Sequence, residues 1–290
     1  MSNVSQADFE YFNGAITKHE TESSVLISSS RYLNHGPLRA LIAQEFLRKN
    51  GADMPNTAFI PEVAQILHQL EDVPAIEKMI QEEAERLPEF RAWLDRRLLS
   101  DFKAEDVKDS KPGTLGAVIY DFIANSGYNM DYFFQGMQVR SDYEYYLKER
   151  TLTHDIEHMV TGFETNFCGE IALLEANFRG FCNYFKPELA AVFMRVPTYL
   201  KSKSIMKAGL HYPKALVEMH KAMDIGAAQG NSWKKPLTLL PWRDMVDWKI
   251  EDIREEYGIT GAPPSGYWDW TNAIAEDPRP SHGIHAMAAE

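Results

Sequence analysis

Two histidines one helical turn apart are the strongest chemical signal in this sequence. The segment 153–158 reads Thr-His-Asp-Ile-Glu-His, and the pattern from Tyr143 to about Gly162 predicts a helix. Residues four apart on a helix lie about 40° apart around its axis, so His154 and His158 point in nearly the same direction. A helix uses this spacing to hold a metal ion through two imidazole groups.

A carboxylate from a second element has to complete such a site, and Glu170 is the candidate. Gly162 and the stretch 166–169 allow a turn after the first helix. A second helix, predicted from Glu170 to about Tyr184, would run back along the first and present Glu170 to the histidines. The alternative is a surface helix with two solvated histidines. Apolar neighbours favour an interior location, where a charged cluster needs a partner such as a metal ion. These neighbours are Ile156, Met159, Val160, Phe163 and Phe167.

The two acidic residues beside the histidines leave one ambiguity. Asp155 and Glu157 lie about 80° to either side of the mean direction of the two histidines. One interpretation is the inverted zincin pattern His-x-x-Glu-His of some metalloproteases, with Glu157 as general base. The other is His-Asp-x-x-His, with Asp155 as an additional metal ligand. Helix geometry does not choose between them.

Helical periodicity dominates the rest of the chain and predicts an all-α, multi-helix single domain. Between residues 76 and 87, apolar side chains recur at helical intervals with glutamates between them. Another amphipathic helix follows the Pro-Gly-Thr opening at 112–114 and is expected to end near Gly127. Strands are expected to be few or absent.

The two ends of the chain depart from this pattern. Residues 1–55 contain serine-rich segments and an Asn-Gly pair. They are predicted to form an N-terminal extension that packs on the body or exchanges with a partner. Residues 56–290 are predicted to form the helical metal-binding domain. Its tail from Gly261 is rich in proline, which predicts a loop-rich wrap that docks through Trp268 and Trp270.

Composition indicates an acidic globular protein. Its 290 residues are 44% hydrophobic and 25% charged, with a formal net charge of −12 at pH 7. This balance, without a basic run, argues against a nucleic-acid partner. There is no apolar run of about 18 residues, and the N-terminus lacks the features of a signal or transit peptide. We therefore expect a bacterial cytoplasmic protein.

Cys168 and Cys182 are expected to be reduced thiols packed as small apolar groups.

The metal-binding segment and its surroundings resemble the coenzyme Q (ubiquinone) biosynthesis protein four family. That family carries His-Asp-x-x-His, then eleven residues, then Glu, and residues 154–170 of this chain follow the same pattern. Thr-Asn-x-x-Gly-Glu at 165–170 and Gly-Thr-Leu-Gly at 113–116 are also similar to family segments. So is Arg-Glu-Glu-Tyr-Gly-Ile at 254–259, where the family usually has Leu in place of Tyr.

The resemblance implies an all-helical fold with one divalent metal ion beside an apolar pocket for a polyprenyl tail. It implies that His154, Asp155, His158 and Glu170 are the metal ligands and act in catalysis through the metal. Zinc is expected, and iron, cobalt or manganese also suit two imidazoles and two carboxylates. The implied reaction is the oxidative decarboxylation of a polyprenylated 4-hydroxybenzoate, in which a ring hydroxyl replaces the carboxyl.

The resemblance also implies that the protein binds the polyprenylated quinone precursor, the other enzymes of ubiquinone biosynthesis and the inner-membrane surface. A homo-oligomer is compatible with these partners. An alternative function is a non-catalytic lipid-binding scaffold that organises those enzymes; a metalloprotease is a third. The arginines Arg150, Arg179 and Arg195 are candidates to meet the substrate carboxylate, or are solvated surface charges. Six aromatic residues after the ligands could line the lipid slot, or pack in the core. They are Phe163, Phe167, Phe178, Phe181, Tyr184 and Phe185.

Overall fold

The computed structural model describes residues 29–49, 60–126, 130–131, 134 and 136–274. Over these residues the chain is an all-α single domain with 13 α-helices and no strand, which confirms the predicted fold class. The helices are α1 Gly36–Leu47, α2 Ile60–Gln69, α3 Val73–Arg86, α4 Pro88–Arg96, α5 Ala104–Val107, α6 Leu115–Ser126, α7 Asp142–Leu152, α8 His154–Thr161, α9 Phe167–Tyr184, α10 Pro187–Phe193, α11 Arg195–His211, α12 Pro213–Ser232 and α13 Ile250–Tyr257. Short 3-10 helices occupy Leu237–Leu239, Trp242–Met245 and Asp269–Ile274.

Helices α9 and α12 form the centre of the molecule and run side by side in the same direction. A Cβ atom at Gly226 would lie 2.2 Å from the carbonyl oxygen of Ala172, and one at Gly230 would lie 2.1 Å from that of Ala176. Only glycine allows two backbones to approach so closely. Because Glu170 lies in the first turn of α9, this contact helps to fix the position of its carboxylate.

Three apolar clusters fill the described interior; a small one joins α1 and α2, and the other two are large. The larger one surrounds α8, α9 and α12 and contains fully buried side chains such as Val160 and Cys168. Cys182, on the other hand, is exposed, so the expectation of two buried thiols is wrong for this residue, which lies on the solvent side of α9. The smaller of the two large clusters is aromatic and joins α3, α4, α7 and α10; the rings of Tyr146 and Phe193 stack there with centroids 3.6 Å apart.

The single helix predicted from 143 to 162 is in fact two helices, α7 and α8, with a break at Thr153. The backbone N–H of Thr153 donates to the carbonyl oxygen of Glu149 at 2.9 Å, which is the last hydrogen bond of α7. The Thr153 hydroxyl also donates to the carbonyl oxygen of Arg150, at 3.4 Å. A break of one residue leaves the apolar periodicity almost intact, which is why the sequence pattern did not reveal it.

The described part of the predicted N-terminal extension packs on the body of the protein. Helix α1 contacts α11, where Lys203 forms a buried salt bridge with Glu45 at 2.8 Å and the Tyr199 hydroxyl donates to the same carboxylate at 2.6 Å. The predicted domain boundary at residue 55 and the predicted helix end at Gly127 lie outside the described residues.

The tail after α13 is loop-rich, as predicted, and docks through one of its two tryptophans. Trp268 is 2% exposed, and its Nε1 donates to Glu218 at 3.1 Å. Trp270 is 50% exposed, because the 3-10 helix that begins at Asp269 directs it to another face. Within the described ranges, no helix combines the length and the apolar character that a membrane span requires.

Candidate metal centre

Helix α8 presents its two histidines on one face, as their spacing predicted. The imidazole rings of His154 and His158 lie with centroids 4.8 Å apart and nearly perpendicular planes. One nitrogen of each ring and one carboxylate oxygen of Glu170 all lie within 4.8 Å of one another. The structure therefore brings together three of the four predicted ligands in a group that could hold a metal ion.

The turn after α8 determines the orientation and tautomer of His158. Gly162 ends the helix with a φ of 77°, a left-handed conformation that favours glycine. The chain then places the carbonyl oxygen of Phe163 2.7 Å from His158 Nδ1. A carbonyl oxygen can only accept a hydrogen bond, so Nδ1 carries the proton and Nε2 keeps its lone pair. Such a bond on the far nitrogen is the usual arrangement behind a metal-binding histidine.

The remaining ring nitrogen of His158 is a buried atom that lacks a hydrogen-bond partner among the described residues. It lies 3.3 Å from Glu170 Oε1, and because the unprotonated nitrogen and the carboxylate are both acceptors, no hydrogen bond joins them. Buried polar atoms are rarely left unsatisfied in native proteins. A metal ion between the imidazole and the carboxylate would satisfy this nitrogen, so the residues present fit a divalent cation.

The start of α9 explains how Glu170 reaches the histidines. The Asn166 side chain caps the helix by accepting from the N–H of Gly169 at 2.9 Å. A Cβ atom at Gly169 would lie 1.9 Å from the carbonyl oxygen of Glu164, so the turn before α9 requires glycine there. Glu170 follows in the first turn, and its Oε2 lies 3.4 Å from His154 Nε2. The segment 165–170 is thus a helix start that positions a ligand.

Electrostatics couple Glu170 to the histidines. Burial disfavours the charge on Glu170, yet the neighbouring His158 and His154 hold the pKa of its carboxyl well below the usual range. Burial also disfavours a charged His158, yet the Glu170 carboxylate raises the pKa of that imidazole. A proton and a metal ion therefore compete for the same nitrogen, as expected for a ligand that has to be neutral to bind metal.

Asp155 lies beside this group without being one of its three converging members. Its side chain is half-buried, and burial raises the pKa of its carboxyl, although the nearby His154 and His158 oppose the shift. The role of Asp155 as a fourth ligand remains a prediction.

Glu157 occupies a different environment from its neighbours. It is fully buried, and its carboxylate accepts hydrogen bonds from Asn177 at 2.7 Å, Thr238 at 3.0 Å and Arg150 at 3.2 Å. It thereby ties α8 to α7, to α9 and to the 3-10 helix at Leu237–Leu239. Because these donors occupy its oxygens, Glu157 is poorly placed to act as the general base of a metalloprotease.

The three candidate arginines contact protein carboxylates. Arg150 is 12% exposed and pairs with the buried glutamate of α8, so it is not a solvated surface charge. Arg179 pairs with Glu175 at 2.9 Å, and Arg195 pairs with Glu71 at 2.6 Å. Arg179 and Glu175 lie one turn apart on α9, a spacing that the sequence shows. The other two pairs join different elements, so the sequence does not reveal them.

A cleft of about 730 Å³ lies beside His158. The α8–α9 turn from 162 to 166 forms one part of its wall, and Arg254 of α13 and the tail segment 262–269 complete it. Of the six aromatic candidates for the lipid slot, Phe163 lines the cleft. Phe181 and Phe185 belong to the aromatic core instead, as the alternative interpretation expected.

Fold and site together define an all-helical protein with a candidate centre of two histidines and one glutamate beside a cleft. The family model described as coenzyme Q (ubiquinone) biosynthesis protein Coq4 matches residues 75–263, and the chain therefore belongs to this family. The chain is also similar to the crystal structure of a protein from Nostoc punctiforme provisionally assigned to ubiquinone biosynthesis. The identity is 24% and the TM-score 0.56, over 71% of this chain and 89% of that chain. This second likeness concerns the fold. No curated protein gives a significant match.

Proposed function

We propose that this protein is a metal-dependent enzyme of ubiquinone biosynthesis that replaces the carboxyl of a polyprenylated 4-hydroxybenzoate with a hydroxyl. The supporting observation is the convergence of His154, His158 and Glu170 beside a cleft, with His158 Nε2 buried and unsatisfied among the described residues. The side chains of His154 and Glu170 are 32% and 30% exposed. One side of the group is therefore accessible, which a catalytic metal site needs and a purely structural one does not.

The predicted ligands, with Asp155 as the fourth, would hold one divalent ion, with zinc expected first and iron, cobalt or manganese compatible. When bound, zinc supplies Lewis-acid chemistry, and iron would add redox chemistry. The carbonyl of Phe163 keeps His158 in the tautomer that binds metal. In the proposed reaction the carboxyl leaves as carbon dioxide. One atom of dioxygen becomes the ring hydroxyl, and the other leaves as water. An external reductant supplies two electrons, and three protons are taken up when the substrate enters as the carboxylate.

A polyprenyl tail places the substrate in a bilayer, so the proposal includes contact with the inner-membrane surface. Tyr267 and Trp270, each about half exposed, flank the cleft-lining residue Asp269 in the tail. Such rings suit a membrane interface because they are apolar with one polar end. We expect weak flotation with lipid vesicles that the double change Tyr267→Ser, Trp270→Ser reduces and Trp248→Ser, another exposed tryptophan, does not. Unchanged flotation of the double variant would place the contact elsewhere.

Other enzymes of the pathway, and a second copy of the chain, are the remaining proposed partners.

Turnover by the purified protein tests the catalytic proposal. Protein loaded with zinc, iron, cobalt or manganese is mixed with a short-tailed prenyl-hydroxybenzoate, dioxygen and a two-electron donor, and the products are analysed. We expect loss of the carboxyl with gain of a ring hydroxyl. Glu170→Gln should lower the rate by at least about 100-fold, more than changes outside the ligand shell usually cost. Glu188→Gln, an exposed glutamate on α10, is the matched control. No product with any of the four metals, from protein that still binds the lipid, would support the scaffold instead.

A further inference from the structure

Arg254 lines the same cleft as His158. It is partly buried, and its Nε donates to the carbonyl oxygen of Val160 at 2.7 Å, near the C-terminal end of α8. No carboxylate of a described residue lies within salt-bridge distance of it, whereas Arg195 and Arg243 each pair with an acid. Arg254 therefore brings a cation to the cleft that the described protein groups do not neutralise.

The two terminal nitrogens of Arg254 are the part available to a ligand, because Nε is engaged by Val160. Gly162 lies next to this end of the guanidinium: a Cβ atom there would lie 3.3 Å from Nη2 and 3.0 Å from the Cβ of Ala262. The φ of 77° already favours glycine at this position. A side chain would in addition crowd the guanidinium and narrow the cleft.

Two acids also line the cleft, but both are engaged in holding its walls. Glu164 accepts from the backbone N–H of Gly266 at 3.0 Å, and Asp269 accepts from the Asn166 side chain at 3.4 Å. These bonds join the α8–α9 turn to the tail. They leave the guanidinium of Arg254 as the cationic group of the cleft wall.

We propose that Arg254 binds the carboxylate of the substrate and thereby directs the ring towards His154, His158 and Glu170. This inference rests on the proposed function, because an aromatic carboxylate is part of that proposal. The two terminal nitrogens of a guanidinium match the two oxygens of a carboxylate in spacing and plane. An acidic protein with a net charge of −12 also needs a local cation to attract such an anion.

The chemistry of the reaction determines which kinetic constant Arg254 affects. The carboxylate is anionic in the bound substrate and leaves as neutral carbon dioxide, so its contact with Arg254 weakens along the reaction. An interaction that stabilises the bound substrate more than the transition state acts on binding. Arg254 is thus a substrate-binding residue, and its replacement should raise KM more than it lowers kcat.

Calorimetric titration of the metal-loaded protein tests the inference without turnover. The two ligands are 3-prenyl-4-hydroxybenzoate and its uncharged carboxamide. We expect the wild-type protein to prefer the carboxylate by roughly 10- to 100-fold, the usual range for hydrogen bonds to charged groups. Arg254→Gln should abolish this preference and leave carboxamide affinity nearly unchanged. Arg254→Lys, which keeps the charge but not the two-pronged end, should lie between them. Arg96→Gln removes an exposed arginine paired with Asp244 outside the cleft and should change neither affinity.

Two outcomes overturn the inference. A full carboxylate preference in either Arg254→Lys or Arg254→Gln would assign recognition of the anion to the metal. Equal loss of both affinities together with loss of metal, in Arg254→Lys, would show that Arg254 serves only to cap α8. The lysine variant keeps a donor for Val160, so it decides the matter even if the glutamine variant does not fold. Turnover without carboxylate preference would contradict this inference alone. Carboxylate-selective binding without turnover would contradict the proposed function alone.

Discussion

Three polar residues of the metal-binding helix, Asp155, Glu157 and His158, have different neighbours, and those neighbours decide what each can do. Glu157 has its carboxylate surrounded by donors from three other elements. His158 has one nitrogen bonded to a carbonyl and the other buried without a hydrogen bond among the described residues. Asp155 is half-buried beside the pair of histidines. By residue type, all three could bind a metal ion. They differ in how fully hydrogen bonds within the protein already occupy their polar atoms.

Replacing His158 with Ala should remove the metal. The change deletes a ligand and leaves the Phe163 carbonyl without its donor, so we also expect a loss of about 1 kcal/mol in the free energy of unfolding beyond that due to the metal. Elemental analysis after dialysis is the measurement. His220→Ala, an exposed histidine on α12, is the control and should keep its full metal content. Full metal in the His158 variant would exclude it as a ligand.

Asp155→Asn and Glu157→Gln should separate binding from stability. Asp155→Asn should weaken metal affinity, as the resemblance predicts. Glu157→Gln should leave metal affinity nearly unchanged, yet lower the free energy of unfolding by about 2–4 kcal/mol because the buried guanidinium of Arg150 loses its counter-charge. The resemblance predicts that this second change is mild, and the buried contacts of Glu157 restrict that expectation to the metal. Zinc titration and urea unfolding measure the two effects. The reverse ranking in the zinc titration would favour Glu157 as a metal-site residue.

At the level of elements, the close contact between α9 and α12 controls where Glu170 lies. The carboxylate belongs to the first turn of a helix whose backbone meets that of α12 at two glycines, one helical turn apart. The ligand from α9 can meet those from α8 only if this helix pair keeps its spacing. Packing between α9 and α12 therefore contributes to the geometry of the metal site.

A methyl group at Gly226 should force α9 and α12 apart. Gly226→Ala places an atom against the carbonyl of Ala172, and we expect a loss of about 1–3 kcal/mol in the free energy of unfolding, together with weaker metal binding. Gly209→Ala is the matched control: this glycine of α11 is exposed, and its added Cβ would meet only a Leu216 methyl group at 3.9 Å. The control should be neutral or stabilise by up to about 1 kcal/mol. Equal stability of the two variants in urea would contradict the proposed role of the contact.

At the scale of the whole molecule, buried acids make stability depend on pH. Glu149 of α7 is 1% exposed and accepts hydrogen bonds from the backbone N–H and the hydroxyl of Ser100, at 2.8 and 2.6 Å. Burial raises the pKa of its carboxyl to about 7, although the Ser100 bonds oppose the shift. The folded protein therefore holds a proton there that the unfolded chain releases near pH 4.5.

Glu149→Gln should stabilise the protein at pH 8. Between about pH 4.5 and 7 the folded state binds more protons at this position than the unfolded state, so stability falls as the pH rises through this range. The glutamine removes that titration and retains an acceptor for Ser100, for an expected gain of about 1–3 kcal/mol at pH 8 and little change at pH 4.5. Urea unfolding at the two pH values is the measurement, with Glu188→Gln as control. An unchanged pH dependence would show that Glu149 is ionised in the folded state throughout this range.

The sequence by itself determined the helical fold class, the shared direction of His154 and His158, and the choice of Glu170 as their partner. These features depend on local geometry: a period of 3.6 residues, a glycine that ends one helix and a cap that begins the next. Only the tertiary structure decided the break at Thr153, the structural role of Glu157 and the place of Arg254 in the cleft. Periodicity reports which side of a helix is buried, but not which distant group satisfies a buried charge. Glu157 meets Thr238 across 81 residues of sequence, and Arg254 meets Val160 across 94, so packing assigned their roles.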